Sequence, residues 1–562
     1  MRSALTRRER CARTSPPHPL ARAPRPPMTG TVPDPPPTRP ESSHDPFAPD
    51  PDPPVTVART WAVALHGAVG SIVEVEADLS NQTPDLRIIG LADKALNESA
   101  RRVHNACQNS DLPLPRRRLT VNLSPANLPK HGSSFDLAIA VAAIATETDL
   151  DVASVSRTVH IGELGLDGRL RPVPGVLPAV VAAARAGFHR VVVPHANREE
   201  ADLVAGIDAR GVGTLAEVAA LHGADVEVPD GEPVPPAASP ARIEEVPDLA
   251  EVIGQEDAVE ALTVAAAGGH HLLMSGPPGA GKTMLARRLP GILPELDDAA
   301  ALAVATIRSL TEGGITSLPR IPPFEAPHHS ASTAALVGGG SRVIHPGAVA
   351  RASEGVLFLD EAGEFSGNAL DALRQPLETG VIEIHRSGAV ASFPARFQLV
   401  LATNPCPCGR YGVLGSACDC PPMAIRRYLQ RLSGPLLDRI DIELRMQRVS
   451  VAQRRSGVGA TTTAQARERV AAARERSAHR LSGTPWRRNA QVSGAWLREG
   501  PSAPEPAVRR PLDLALQRGA LTLRAYDRVL RLAWTLADLA SRPRPTIDDV
   551  GRALYLKKGI PA

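Results

Sequence analysis

Aromatic residues make up only 3% of the 562-residue chain, which excludes base stacking on exposed rings as the main mode of any nucleic-acid contact. No run of about 18 apolar residues occurs, so a membrane-spanning helix is not expected. Charge lacks a dominant sign: 63 Lys and Arg against 60 Asp and Glu leave +3, too near neutral to imply a polyanionic partner by itself. Six cysteines in so long a chain do not make a disulfide framework. The basic N-terminus (Arg2, Arg7, Arg8, Arg10) is not followed by the apolar core of a secretory signal, and the cytoplasm is the expected location. Hydrophobic content of 43% and charged content of 22% are ordinary for a globular protein, and the length predicts about three or four domains.

Composition divides the chain. Residues 1–54 are crowded with Pro, Arg, Ser and Asp and are expected to be disordered, with Met28 an alternative start. An α/β pattern fills 55–228: Ser71–Ala77 and Arg118–Leu123 alternate as half-buried strands, Phe135–Ala145 reads as a buried helix, and Arg190–Pro194 as a short buried strand. A Pro- and Ala-rich linker spans 229–247. Residues 248–448 carry the nucleotide motifs. The remainder, 449–562, is helical, with a charged helix over 464–480, a second Pro-rich break at 501–511, and a one-faced apolar pattern from Arg524 to Leu539.

What the chain does have is a complete phosphate-binding loop, Gly276-Pro277-Pro278-Gly279-Ala280-Gly281-Lys282-Thr283, between an apolar run and a helix start. Its glycines let backbone N–H groups curl around a polyphosphate, Lys282 suits the β/γ-phosphates, and the Thr283 hydroxyl suits Mg²⁺. ATP and Mg²⁺ are therefore the expected ligands. Gly355-Val-Leu-Phe-Leu-Asp360-Glu361 reads as a buried parallel strand whose terminal acids face the phosphates, Asp360 towards the metal shell and Glu361 towards the attacking water. A third run, Leu399-Val-Leu-Ala-Thr-Asn404, ends in an amide that could hold that water or the γ-phosphate, or equally cap the turn before Pro405.

Cys406, Cys408, Cys418 and Cys420 form two C-x-C pairs within a loop rich in Gly and Pro, over 406–420. Four thiolates can close a tetrahedral Zn²⁺ site of structural rather than catalytic type; the alternative is four free thiols.

These motifs, with Ala326-Pro-His-His-Ser330, Gly338-Gly-Gly-Ser341, Thr403-Asn-Pro-Cys-Pro-Cys-Gly409 and Ser433-Gly-Pro-Leu-Leu-Asp-Arg-Ile-Asp441, resemble the magnesium-chelatase-like AAA+ ATPases, and within them the YifB/ComM family. The resemblance runs from about Trp61 to Lys558. It implies an α/β fold: a P-loop AAA+ core with a C-terminal helical lid, preceded by an α+β domain like that of Lon protease and ribosomal protein S5. Asn404 would then be sensor 1, Arg439 an arginine finger reaching a neighbouring subunit, and Arg524 sensor 2, with Arg528 as the substitute assignment. Read without the family, both Arg439 and Arg524 are solvated surface arginines. Val252-Ile-Gly-Gln255 would frame the adenine. A finger acting in trans requires a self-assembled ring, most simply a hexamer. Val337–Ile344 and the hairpin Gly380–Gly388 would line its pore, with Arg342 and Arg386 touching the phosphates of single-stranded or branched DNA.

Pro129–Asp136 and Gly162–Val173 are similar to the Lon protease fold, which would place a nucleophile at Ser134. The partner lysine expected near Val176-Leu-Pro178 is missing, so a non-proteolytic module is expected, with Lys130 and Arg116-Arg-Arg118 as possible phosphate contacts. The leading reading is an ATP-hydrolysing DNA motor for branch migration or unwinding. The alternatives are a chelatase-type motor, a protein-remodelling or protease-associated motor, and a nucleotide-gated scaffold.

Overall fold

Alternation along Val69–Ser80 turns Val73, Val75 and Ala77 onto one buried face, and that strand anchors the first of two large sheets. The computed structural model describes residues 57–90, 94–229, 234–235, 246–340, 344–386, 389–413, 417–449 and 461–558. Residues 1–54, Arg342 and the side chain of Arg386 lie outside them.

The first sheet holds seven strands: β1 (Ala58–His66), β2 (Val69–Ser80), β3 (Asp85–Ile89), β4 (Arg118–Ser124), β5 (Thr158–His160), β8 (Arg190–Pro194) and β9 (Asp208–Val212); a separate hairpin joins β6 (Glu163–Leu164) to β7 (Leu170–Arg171). Their order is β3-β4-β2-β1-β5-β8-β9, antiparallel at β1–β2 and β2–β4 and parallel elsewhere. The helix Asp136–Ile144 is buried at every residue, and its Asp136 is held by a two-pronged bond from Arg102 (2.7 and 3.0 Å).

One expectation fails here. Lys130 is fully buried, and its ammonium donates to the carbonyls of Gly90 (3.0 Å), Leu123 (2.9 Å) and Pro125. A charge so enclosed by backbone oxygens locks a turn and has no reach to a phosphate.

A chain of largely buried polar groups joins four elements of the same domain: Thr60 Oγ1 to His160 Nδ1 (2.7 Å), His160 Nε2 to His222 Nε2 (2.9 Å), and His222 Nδ1 to Ser154 Oγ (2.9 Å). Burial, then mutual repulsion, holds His160 well below its usual pKa; burial, then Arg190, pushes His222 down to about 4. Both rings are therefore neutral when folded, whereas the unfolded chain protonates them at about 6.5. Stability should be flat above that value and fall as the pH drops through 6.5 towards 4. Hydrogen exchange at the β1 and β5 amides, corrected for its intrinsic pH dependence, should show lost protection at pH 5 relative to 7.5; equal protection would contradict this.

The second sheet is wholly parallel. Its strands are β10 (Leu272–Ser275), β11 (Phe324–Glu325), β14 (Val356–Leu359), β17 (Gln398–Thr403) and β18 (Ile442–Arg445), in the order β11-β14-β17-β10-β18. Being covered on both faces, β14 and β17 are buried at every position. Two small antiparallel pairs stand apart: β12 (Gly338–Gly339) with β13 (His345–Pro346), and β15 (Val381–Arg386) with β16 (Ala389–Pro394). The second is the expected hairpin, and β16 is seated on the first domain. Ala68 N–H donates to the Ser392 carbonyl (3.0 Å), and Ala68, Ile307, Ala391 and Phe393 share one apolar cluster.

The C-terminal part is helical. Thr462 caps Thr463–Arg480 through a capping box with Gln465, and Leu523–Leu539 buries Val529, Leu532, Ala533 and Leu536 into the same core as β10 and β17. The expected break at 501–511 is instead largely helix, Pro506–Gln517. Pro506 sits in its first turn, where an N–H has no intrahelical partner to lose, and Leu512 anchors it although Pro511 lies inside. Arg528 pairs with the buried Asp441, which also accepts from His271 N–H (3.1 Å). Burial works to raise the Asp441 pKa; Arg528 and then His270 outweigh it and hold the carboxyl far below the usual range. Arg528 thus ties helix to sheet, which removes it as the substitute for Arg524.

Candidate nucleotide site

Three neighbouring strands of the parallel sheet end together. Ser275 pairs with Thr403, and Leu359 with Leu401, so the residues that follow β10, β14 and β17 emerge along one edge. That edge, at the carboxyl ends of the strands, is where such sheets bind ligands.

After β10 the chain enters Gly276–Gly281. Gly279 (φ +79°) and Gly281 (φ +85°) take left-handed conformations that an L side chain rarely adopts, and a Cβ on Gly276 would run into the Met446 carbonyl. Gly281 then caps the helix Lys282–Ala286. The Lys282 ammonium is almost wholly enclosed and donates to the carbonyls of Gly276 (2.7 Å) and Pro277 (3.1 Å) and to Asn404 Oδ1 (3.0 Å). Burial pushes its pKa down while Asp360 and Glu361 pull it back up. An ammonium held by loop oxygens can exchange them for phosphate oxygens.

Asp360 follows β14 directly and accepts from Thr283 Oγ1 at 2.6 Å. This hydroxyl–carboxylate pair, two hard oxygen donors beside the loop, suits Mg²⁺. Glu361 is a non-glycine residue in the left-handed region (φ 51°, ψ 45°), and its N–H donates to Asp360 Oδ1 at 2.9 Å. The sharp turn separates the two carboxylates. Glu361 Oε2 lies 3.2 Å from His329 Nδ1. His329 was visible in the sequence only within Ala326–Ser330; nothing local signals that this ring reaches an acid across the sheet edge.

Gln255 spans the carbonyls of Ala280 (2.7 Å) and Gln447 (3.2 Å), leaving its Oε1 buried without a partner among the described residues. An orphaned acceptor beside the loop fits the exocyclic amine of adenine. The buried Lys282, the Thr283–Asp360 pair and Gln255 thus suit a Mg²⁺–nucleoside triphosphate, with Glu361 and Asn404 next to where its last phosphate would lie.

The arginines stand elsewhere. Arg439 bonds Glu378 and the Pro435 carbonyl, with its Nε buried and without a partner among the described residues, and Arg524 bonds Asp438 at 3.3 Å. Burial lowers the Arg439 pKa, and the nearby Arg524, Arg528 and Arg374 lower it further. Arg439 and Arg524 therefore share one patch of positive potential, and neither bonds Lys282, Asp360 or Glu361.

The four cysteines of 406–420 come together as the spacing suggested. Sulfur–sulfur distances are 3.4 Å (Cys406–Cys408), 3.7 Å (Cys406–Cys418) and 3.6 Å (Cys408–Cys418), and all four sulfurs lie within 4.8 Å of one another. With metal–sulfur arms of about 2.3 Å, a tetrahedral zinc site has sulfur–sulfur edges of about 3.8 Å.

Family models match along the same span: the magnesium chelatase subunit ChlI domain over 248–454, a ChlI subunit domain over 75–197, and the ChlI C-terminal domain over 460–557. The competence protein ComM of Haemophilus influenzae is 40% identical over 488 residues, covering 86% of this chain and 94% of that protein. The chain belongs to the YifB/ComM family of magnesium-chelatase-like AAA+ ATPases. A Mycobacterium tuberculosis protein described as uncharacterised is 48% identical over 510 residues, covering 90% of this chain and 99% of the relative. A Lon protease of Mycolicibacterium smegmatis is 29% identical over 174 residues, 29% of this chain and 22% of the protease. As an AAA+ protein of this family the chain is an ATPase acting with ATP and Mg²⁺, and members of the class oligomerise. Among the described residues no helix is long and apolar enough to cross a membrane.

Proposed function

We propose that this YifB/ComM ATPase is a ring motor, most simply a hexamer, that hydrolyses ATP to move along single-stranded or branched DNA in recombination. The observation that carries the reading is the separation within one chain: Lys282, Thr283, Asp360, Glu361 and Asn404 converge at the sheet edge, while Arg439 and Arg524 stand together on Glu378 and Asp438. A guanidinium at the γ-phosphate greatly accelerates phosphoryl transfer, and a neighbouring copy can lend both arginines at once. In this scheme Lys282 grips the β/γ-phosphates, Thr283 and Asp360 hold the metal, Glu361 takes the proton of the attacking water, and Asn404 orients that water.

DNA as the track is supported by the ComM relative's designation as a competence protein. Domains 55–228 and 449–562 would serve as a non-proteolytic Lon-like module and the helical lid. A protease is disfavoured by Lys130, the lysine closest before Ser134, which spends its ammonium on three carbonyls. The four sulfurs are read as a structural Zn²⁺ site.

ATPase rates measured with single-stranded DNA, forked DNA, unfolded protein or no addition test the track. DNA stimulation with strand displacement is expected. Stimulation by a protein alone would replace this reading with a chelatase-type or protein-remodelling motor.

A further inference from the structure

The cysteine loop touches the nucleotide site at three places. It starts at Asn404, whose side-chain oxygen accepts from Lys282 at 3.0 Å, and Cys406, two residues on, is fully buried. Its first turn is closed by Gly409 N–H to the Cys406 carbonyl (2.9 Å) and by Tyr411 N–H to Cys406 Sγ (3.3 Å). That turn sets Gly409, in the left-handed region at φ +74°, flat against the phosphate loop. A Cβ on Gly409 would fall 2.7 Å from Cγ of Pro278 and closer still to its Cδ. After Cys420 the chain enters the helix Pro422–Gln430, whose buried Tyr428 packs on Gly363 in the turn after Glu361; a Cβ on Gly363 would come within 2.8 Å of that ring.

Pro278 is the residue that these contacts fix most directly. It follows Pro277, whose φ its ring fixes, and precedes Gly279, so the loop can pivot on its C-terminal side, and a proline has no N–H with which to anchor itself. Besides the Gly409 contact, its carbonyl accepts from Arg448 Nε at 3.1 Å. A knuckle that keeps its shape therefore holds the phosphate loop open at the curvature in which Gly279 and Gly281 can present their N–H groups. One that loses its shape leaves Pro278 unsupported on that side.

We infer that the four-cysteine knuckle is the outer wall of the phosphate loop, so that occupancy of its Zn²⁺ site sets the affinity for nucleotide. This rests on the zinc reading above and adds a function to it. The metal takes no part in hydrolysis; it cross-links two C-x-C pairs, and the cross-link fixes where Gly409 sits. A short loop without its metal has little apolar surface of its own with which to keep a fold.

The test uses the full chain and a fluorescent ATP analogue. Wild-type protein should contain about one zinc per chain by elemental analysis. Stripping that metal should weaken analogue binding about tenfold or more, with affinity restored by added Zn²⁺ and with the cooperative unfolding of the rest of the chain retained. The double variant Cys418→Ser/Cys420→Ser should bind as the stripped protein does and gain nothing from Zn²⁺. Gly409→Ala guards against a variant that merely unfolds the loop: it should keep its zinc yet bind the analogue about tenfold more weakly, because a Cβ there is both strained and driven into Pro278. Stripped protein and Gly409→Ala that both bind as tightly as wild type would overturn the coupling while leaving the zinc site standing. Wild-type protein without zinc, even after refolding in its presence, would overturn the zinc reading and the coupling with it.

Discussion

Glu361→Gln should lower ATP turnover by about 10²- to 10⁴-fold, the usual contribution of a positioned general base. Nucleotide affinity should stay within about threefold of wild type, because the amide has the same shape and Lys282, Thr283 and Asp360 are untouched. The expectation follows from where the two acids sit. Asp360 is engaged by Thr283 at 2.6 Å, a pair that suits the metal shell, whereas Glu361 turns away in a left-handed conformation and pairs with His329. A left-handed glutamate costs roughly 1–3 kcal/mol and is kept only where the surroundings impose it, and such positions cluster at functional sites. Single-turnover hydrolysis with equilibrium binding measured alongside separates the two effects. Ordinary turnover in Glu361→Gln would remove the assigned role.

Arg439→Ala should fall further, by about 10³- to 10⁵-fold in turnover, if its guanidinium completes the phosphoryl-transfer site. Binding to the chain's own phosphate loop should change little, since Arg439 touches Glu378 and Pro435 and none of the loop. The arginine is ready for an anion: partly desolvated, crowded by Arg524 and Arg374, and with one N–H buried and without a partner among the described residues. A solvated surface arginine, the reading that the local sequence favours, would lose nothing measurable on truncation.

Much of this was legible in the sequence because its signals are local. The phosphate loop declares itself through glycines that only a left-handed backbone requires, and Val356–Leu359 through an apolar run too short for a helix that ends in two acids. The clustering of the cysteines followed from two C-x-C pairs in one loop. Signals carried by distant contacts were silent. Lys130 read as a possible phosphate contact because the carbonyl of Gly90 and those of Leu123 and Pro125, more than thirty residues on, had to converge before it could be buried. Pro511 read as a break, since the apolar partners that hold its helix lie elsewhere in the chain. Likewise, the contact between His329 and Glu361, and that between Gly409 and Pro278, exist only once the sheet has brought its strand ends together.

Shared sites are the central claim, and mixing two inactive proteins tests it most directly. Lys282→Ala subunits keep the arginines but cannot hold ATP, while Arg439→Ala subunits keep the loop but lack the guanidinium. Random co-assembly should rebuild intact sites at about a quarter of the interfaces and restore turnover in that proportion. A mixture as inactive as its components, despite demonstrated co-assembly, would contradict the account.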